Sequence, residues 1–220
     1  MKIKMVMVAF ACVSIEAIMD QMDPELYRAA QEGNINGLRL QSQHFSTQLT
    51  PNKNTPVHVV ALFNDSRECI EEILNANESL LFEVNFDGDS ALHIAARNGK
   101  FEVGSTMITR AKHSDQEVES GGGKLESLLS MRNKNGNTPL HEAIMSGQSE
   151  IVAIMLQDYP EIANIANNSS ETPLFLAVYK KRTLCGMRIM EYCPLPAYTG
   201  TERRTALHAA AVVLNSEGKF

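Results

Sequence analysis

The sequence has no tryptophan, only four cysteines and no C-x-x-C pair. Cys12, Cys69, Cys185 and Cys193 are too scattered for zinc-ligand spacing or for the dense disulfide framework of a small secreted domain. They read as separate buried thiols in a reducing compartment, with a Cys185–Cys193 pairing left open by the spacing alone. No stretch reaches the ~20 apolar residues that a membrane helix needs. Basic residues never gather beyond Arg203-Arg204 or Lys180-Lys181-Arg182, in a chain of net charge −6. That balance argues against nucleic acid as a partner and against simple electrostatic binding to acidic lipid. The acidic residues are spread out and read as a solvated face.

What is present is a chain of 220 residues, 44% of them hydrophobic, enough for the core of one domain or one elongated array. At the start, Lys2 and Lys4 precede the apolar Met5–Val13, and Ala9-Phe10-Ala11 imitates a cleavage site. The apolar run is at the short end for a secretory leader and overlaps that site. Residues 1–21 therefore read as an N-terminal extension, flexible or a short helix, with ordered patterning from Met22. Asn64, Asn77 and Asn168 head N-x-S sequons, which would matter only in a secreted chain.

The ordered part repeats one phrase. Thr55-Pro56-Val57-His58, Ser90-Ala91-Leu92-His93, Thr138-Pro139-Leu140-His141, Thr172-Pro173-Leu174-Phe175 and Thr205-Ala206-Leu207-His208 are separated by 35, 48, 34 and 33 residues. Each phrase has a physical reading. Thr or Ser is a helix N-cap, its oxygen accepting from an orphan N–H. Pro at the first helical position has a preset φ and lacks only a donor that would go unpaired. Leu140 points inward, and Ala143 sits where two helices approach too closely for a larger side chain. Gly99 and Gly147 end the first helix in left-handed geometry. A second helix follows, with Ile151, Val152, Met155 and Leu156 at helical spacing. The same slots hold Val103, Met107 and Ile108 in the third unit, and Cys185, Ile189 and Met190 in the fifth. Cys69, Ile70, Ile73 and Leu74 fill them in the second after a one-residue slip. The eleven methionines, among them Met107, Met155, Met187 and Met190 on second helices, read as core packing. A weaker first unit opens at Asp23-Pro24, with Leu26, Ala29, Ala30 and Gly33 in register once the cap shifts by one residue, and Tyr27 in the His slot.

A period near ~33 with T-P-L-H-x-A is the mark of the ankyrin repeat. The chain resembles that superfamily over residues 22–220, and the expected fold is all-α: a solenoid of stacked helix-turn-helix units with short β-hairpin turns. Five units are complete, and a sixth, truncated one opens at Thr205. The array reads as the front part of something longer, or as a truncated product. About 14 extra residues in the third unit, near Thr109–Glu126, read as an inserted surface loop (about 109–126). More narrowly, "MDPELYRAAQEGN" (Met22–Asn34), "MRNKNGNTPLHEA" (Met131–Ala143) and "ETPLFLAV" (Glu171–Val178) look like the N-terminal array of plant accelerated-cell-death-type ankyrin proteins. That resemblance implies a cytosolic head ahead of a membrane-spanning domain, with roles in plant defence, cell-death control and stress signalling. This chain carries no such span, and residues 1–21 precede the usual family start. Cytoplasmic location follows from the resemblance, with association at the inner face of the plasma membrane only through a longer form or a partner.

Catalytic motifs fail on inspection. His58, His93, His141 and His208 recur one per unit, about 10 Å apart for packed helices, whereas zinc needs ligands at ~2.0–2.3 Å. The resemblance implies structural histidines bonding between turn and neighbouring unit. "HEAIM" puts Met145 in the second His slot of H-E-x-x-H. "SGGGKL" (Ser120–Leu125) has Leu125 where a phosphate loop needs Ser or Thr. "NFDGDS" (Asn85–Ser90) has Ile94 where a calcium loop closes with Glu, and Asp87-Gly88 suits a tight hairpin instead. No catalytic residue, metal, cofactor or small-molecule substrate is expected. The chain reads as a non-catalytic scaffold for a partner protein.

Core slots being fixed by packing, recognition falls to positions four, seven and eight residues after each cap. These are Val59, Leu62 and Phe63; Ile94, Arg97 and Asn98; Glu142, Met145 and Ser146; Leu176, Tyr179 and Lys180. The hairpin tips add Lys53, Asp87, Lys134 and Arg203. The partner-binding expectation is a strip of Leu62, Phe63, Ile94, Met145 and Tyr179, flanked by Arg97, Glu142 and Lys180 as its polar rim. Ordinary packing between units is the alternative for the same residues.

Overall fold

A computed structural model describes residues 21–116 and 123–216. The leader-like segment, Cys12 and part of the Gly-rich stretch lie outside these residues. The described residues form an all-α ankyrin solenoid with twelve α-helices.

The first helices of successive units are α1 (Pro24–Glu32), α3 (Pro56–Phe63), α5 (Ala91–Asn98), α8 (Pro139–Ser146), α10 (Pro173–Tyr179) and α12 (Ala206–Ser216). The second helices are α2 (Ile35–Leu40), α4 (Arg67–Ala76), α6 (Phe101–Gln116), α9 (Ser149–Asp158) and α11 (Thr183–Tyr192). Starts and stops follow the repeated phrase. Thr55, Ser90, Thr138 and Thr172 are extended N-caps, each directly before the first helical residue. Asp23 caps α1, its carboxylate accepting from the Glu25 N–H at 2.7 Å. Gly99 and Gly147 close α5 and α8 with φ of +70° and +81°, geometry that costs a residue with a Cβ.

Packing proceeds in two rows. First helices stack in the order α1, α3, α5, α8, α10, α12, and second helices in the order α2, α4, α6, α9, α11. The slot two residues after the cap is wholly buried at Val57, Leu92 and Leu140, and so is Leu26, three residues after its cap Asp23. Each such side chain contributes about 2 kcal/mol by leaving water. The inward second-helix residues behave alike: Cys69, Ile70, Ile73 and Leu74, then Val103, Met107 and Ile108, then Ile151, Val152, Met155 and Leu156 are all buried. In the fifth unit Cys185 and Ile189 are buried, but Met187 and Met190 are exposed, against the expectation that they pack in the core. The reason lies in the row. Leu74, Ile108 and Leu156, equivalent to Met190, are each covered by the second helix that follows, and none follows α11 among the described residues.

The hairpins between units are built on side-chain amides five residues before the caps. Asn85 Oδ1 accepts from the N–H of Asp87 and of Asp89, Asn133 from Asn135 and Asn137, and Asn167 from Ser169 and Glu171. Each turn is closed by a backbone bond, such as Asn133 N–H to Asn137 O at 3.0 Å. Among the described residues, β structure is limited to isolated bridges, Val84 with Ser90 and Thr199 with Thr205 being antiparallel.

The insertion differs from the expected loop. α6 continues to Gln116, and a further helix, α7 (Lys124–Ser130), packs on α6 and α8. No Gly or Pro stands between Gly104 and Gln116 to stop α6, so helical hydrogen bonding continues through a polar segment. Ala111 is buried, and Leu128 and Leu129 of α7 seal against the stack. Asp115 bridges the two helices, its oxygens accepting from the N–H groups of Lys124 (2.6 Å) and Leu125 (3.0 Å) at the start of α7. Arg110 bonds Asn75, Lys112 pairs with Asp158, and Ser114 donates to Glu78, tying the extension to both neighbours.

Candidate functional site

Three of the four repeated histidines are internal fasteners, while His208 is exposed and bonds its own cap, Thr205. His58 Nδ1 accepts from the Thr55 N–H and meets Thr55 Oγ1 at 2.8 Å, while Nε2 lies 3.0 Å from Asp89 O in the next unit. A carbonyl only accepts, so Nε2 carries the proton and the ring is neutral. His93 repeats this toward Asn137 O and His141 toward Glu171 O. Burial pushes His58 and His141 down to about 4, and lowers His93 in the same direction. In the fifth unit Phe175 takes the slot. Its ring lies where a Cβ on Gly200 would come within 2.3 Å, and Thr172 Oγ1 instead donates to Thr199 O. Among the described residues no three His, Cys, Asp or Glu side chains converge on a point where an ion could sit. Cys69, Cys185 and Cys193 are buried free thiols, so Cys185 and Cys193 are not joined.

The expected recognition strip is divided by the structure. The slot four residues after the cap is core in every complete phrase: Val59, Ile94, Glu142 and Leu176 are all buried. Ile94 and Glu142 are therefore not exposed recognition residues. This slot lies in the seam between consecutive first helices, where Arg97 of α5 reaches Glu142 of α8. Arg97 bonds Glu142 and Asp89, each at 2.9 Å. Asn133 donates to both carboxylates and Asn137 to Glu142, so every buried oxygen has a partner. Burial opposes the Arg97 charge, but its bonds to Glu142 and Asp89 outweigh that and hold it protonated. Arg97 is thus committed to the stack, in the middle of the proposed strip, and Met145 beside it is half-buried.

The slots seven and eight after the cap do face outward, in two separate patches. At one end Leu62 and Phe63 are exposed, with Phe63 edge-on to Tyr27 at 6.1 Å. They line a groove of roughly 660 Å³ with Met22, Pro24, Tyr27 and Val59, closed on its far side by the hairpin 50–54. Arg28 stands on its rim. At the other end Tyr179 is exposed, stacked on buried Phe175 at 5.9 Å, with Lys180 Nζ 5.6 Å from its ring. Of the tip residues, Lys53, Asp87 and Lys134 are exposed, and the Arg203 side chain lies outside the described set. A second groove, of roughly 410 Å³, opens on the second-helix row between Arg67, Glu71, Thr109 and Arg110, with mixed charge and no apolar floor of comparable extent.

Sequence reasoning missed three things here: the groove, because its walls come from two units; Phe86 at the tip, 54% exposed; and the hairpin asparagines. Only the last had a signal, an Asn five residues before three of the caps.

A family description of ankyrin repeats in three copies matches residues 26–120 and 118–187. The chain belongs to the ankyrin-repeat family. It is 27% identical over 160 residues to a transient receptor potential cation channel subfamily A member 1 homolog of Caenorhabditis elegans, covering 72% of this chain and 12% of that one. It is 26% identical over 133 residues to a putative E3 ubiquitin-protein ligase, XBAT31, of Arabidopsis thaliana, covering 60% of this chain and 28% of the relative. It is 26% identical over 155 residues to the I-Kappa-B like protein C2 of Microplitis demolitor bracovirus (isolate Webb), covering 67% and 77% respectively. The chain thus spans well under a third of the first two relatives. No helix among the described residues is long and apolar enough to cross a membrane.

Proposed function

We propose that the chain is a non-catalytic scaffold that holds a partner protein on its first-helix face. The groove bounded by Tyr27, Leu62 and Phe63 is the principal anchor, and Tyr179 with Lys180 is a second. The observation that carries this reading is the groove itself, an apolar recess bordered by polar tips on the face where first helices and hairpins line up. Three of the repeated histidines that would tempt a catalytic reading, His58, His93 and His141, are consumed by bonds between units. We place the scaffold in the cytoplasm, where the three buried free thiols among the described residues suit a reducing environment. The resemblance to plant accelerated-cell-death-type arrays supports a role in defence or stress signalling.

A second reading is that the array is the cytosolic head of a larger membrane-anchored ankyrin protein of signalling or channel-like type. It is favoured by the cation-channel relative, in which the matched segment is a small fraction of the whole.

A photo-cross-linking amino acid at Leu62, at Tyr179 and at Glu72 on the second-helix row, with the chain in its native cell, tests the scaffold. Cross-links at the first two positions and none at Glu72 are expected, and the cross-link at position 179 is lost when Leu62 and Phe63 become serine with helicity unchanged. Cross-linking confined to Glu72 overturns the assignment of the face.

A further inference from the structure

The hairpin tips beside the groove carry a charge arrangement that identifies its occupant further, on the strength of the scaffold reading above. Lys53 of the second unit and Lys134 of the fourth both reach the exposed ring of Phe86 in the third, with Nζ 5.4 and 4.9 Å from its centroid. The three tips are locked together by backbone bonds, Phe86 N–H to Asn52 O at 2.9 Å and Lys134 N–H to Asp87 O at 3.0 Å. Neither lysine has a carboxylate partner among the described residues, and neither has Arg28 on the groove rim. Asp87, the nearest acid in sequence, is turned to Asn52, accepting from its amide at 3.4 Å. Two ammonium groups share one exposed ring, which holds each of them only weakly at an exposed site. An anion beside the ring meets positive charge that no carboxylate among the described residues pairs with.

Lys53 sits in the very hairpin that closes the groove: Pro51, Asn52 and Asn54 are groove wall, and the chain turns outward at Lys53 with φ +56°. Apolar recess and cationic tip are thus within a residue or two of each other. We infer that the groove takes a partner segment bearing a bulky apolar side chain with an aspartate or glutamate a few residues away. The apolar group fills the space between Tyr27, Val59, Leu62 and Phe63, and the carboxylate meets Lys53 and Lys134. A peptide fits this better than a lipid surface or nucleic acid. The site joins one apolar recess to one cationic point, and a chain of net charge −6 repels an extended polyanion.

The probe is a phage-displayed library of random peptides selected on the full chain. Enriched peptides are then synthesised with a fluorescent label and titrated by anisotropy against wild type, K53E/K134E, K53Q/K134Q and L62S/F63S, each checked for unchanged helicity. The expected consensus pairs a bulky apolar residue with Asp or Glu. Affinity falls about ten-fold or more in K53E/K134E, less in K53Q/K134Q, and weakens with added salt. Peptides with the acid changed to Lys recover binding on K53E/K134E. Peptides that cross-link to position 62 yet are neutral or basic, and ignore both lysine variants, overturn this inference and leave the scaffold reading standing. Binders that cross-link only to the second-helix row, or no binder at all, overturn both.

Discussion

Acid should loosen this array through its histidines, and the structure sets the size of the effect. His58 and His141 are held neutral, with their protonation lowered from 6.5 to about 4 by burial. Protonation would also put a second N–H on Nδ1, facing the Thr55 or Thr138 N–H that now donates to it. The folded pKa is below the unfolded one, so the unfolded chain binds more protons across that window. The neutral rings' contribution is fully present above pH 6.5 and is lost progressively as pH falls toward about 4. At saturation the gap is worth about 3 kcal/mol per ring, and at pH 5 about 2 kcal/mol per ring. Two rings thus remove about 4 kcal/mol at pH 5, a large share of a typical domain stability of about 5–15 kcal/mol. His93 shifts in the same direction and adds to the loss. Urea unfolding followed by far-UV circular dichroism at pH 7.5, 6 and 5 measures it directly, with the midpoint expected to fall steeply below pH 6.5. A midpoint that does not move between pH 7.5 and pH 5, or an NMR titration of His58 centred near its free value, would refute the reasoning.

Arg97→Ala leaves the Asp89 and Glu142 carboxylates buried without their cation and should cost about 2–3 kcal/mol, discounted from a fully buried pair because Arg97 is part-exposed. Chemical denaturation at neutral pH checks this, and the loss should shrink in Arg97→Lys. Ser170→Gly should stabilise by about 0.5–1 kcal/mol, because Ser170 holds φ +60° at a hairpin tip where its equivalents Gly88 and Gly136 do so without a Cβ. A rise in melting temperature is the readout.

Much of the fold was legible because one phrase sets cap, first turn and inward slot together, and the phrase recurs. Thr138, Pro139, Leu140 and His141 could be placed from local chemistry alone, and so could the Val103, Met107 and Ile108 stripe. The misplacements share a different cause. Met190 has the same local pattern as Leu156, but its burial depends on what stacks next to it. Ile94 and Leu62 were both candidates for the binding strip, yet one sits in the seam between first helices and the other beyond it. The extension of α6 was hidden by polar composition, since Arg110, Lys112 and Ser114 find partners on neighbouring helices that sequence spacing cannot reveal. The groove and the Lys53–Phe86–Lys134 tip draw on residues from adjacent units, so no single phrase contains their signal.

Phe175 has a mechanical consequence. Three histidine bonds clasp the second unit to the third, the third to the fourth and the fourth to the fifth, but a phenyl ring cannot make the fourth clasp. The joint before α12 rests instead on the packing of α10 against α12, the Phe175 ring on Gly200, and bonds from the Thr172 N–H and Oγ1 to Thr199 O and from the Ala197 N–H to Asn164. Under tension applied along the stack, rupture therefore begins at a joint without a histidine clasp, this one or the one where Tyr27 takes the slot, and the clasped units between them give way only at higher load.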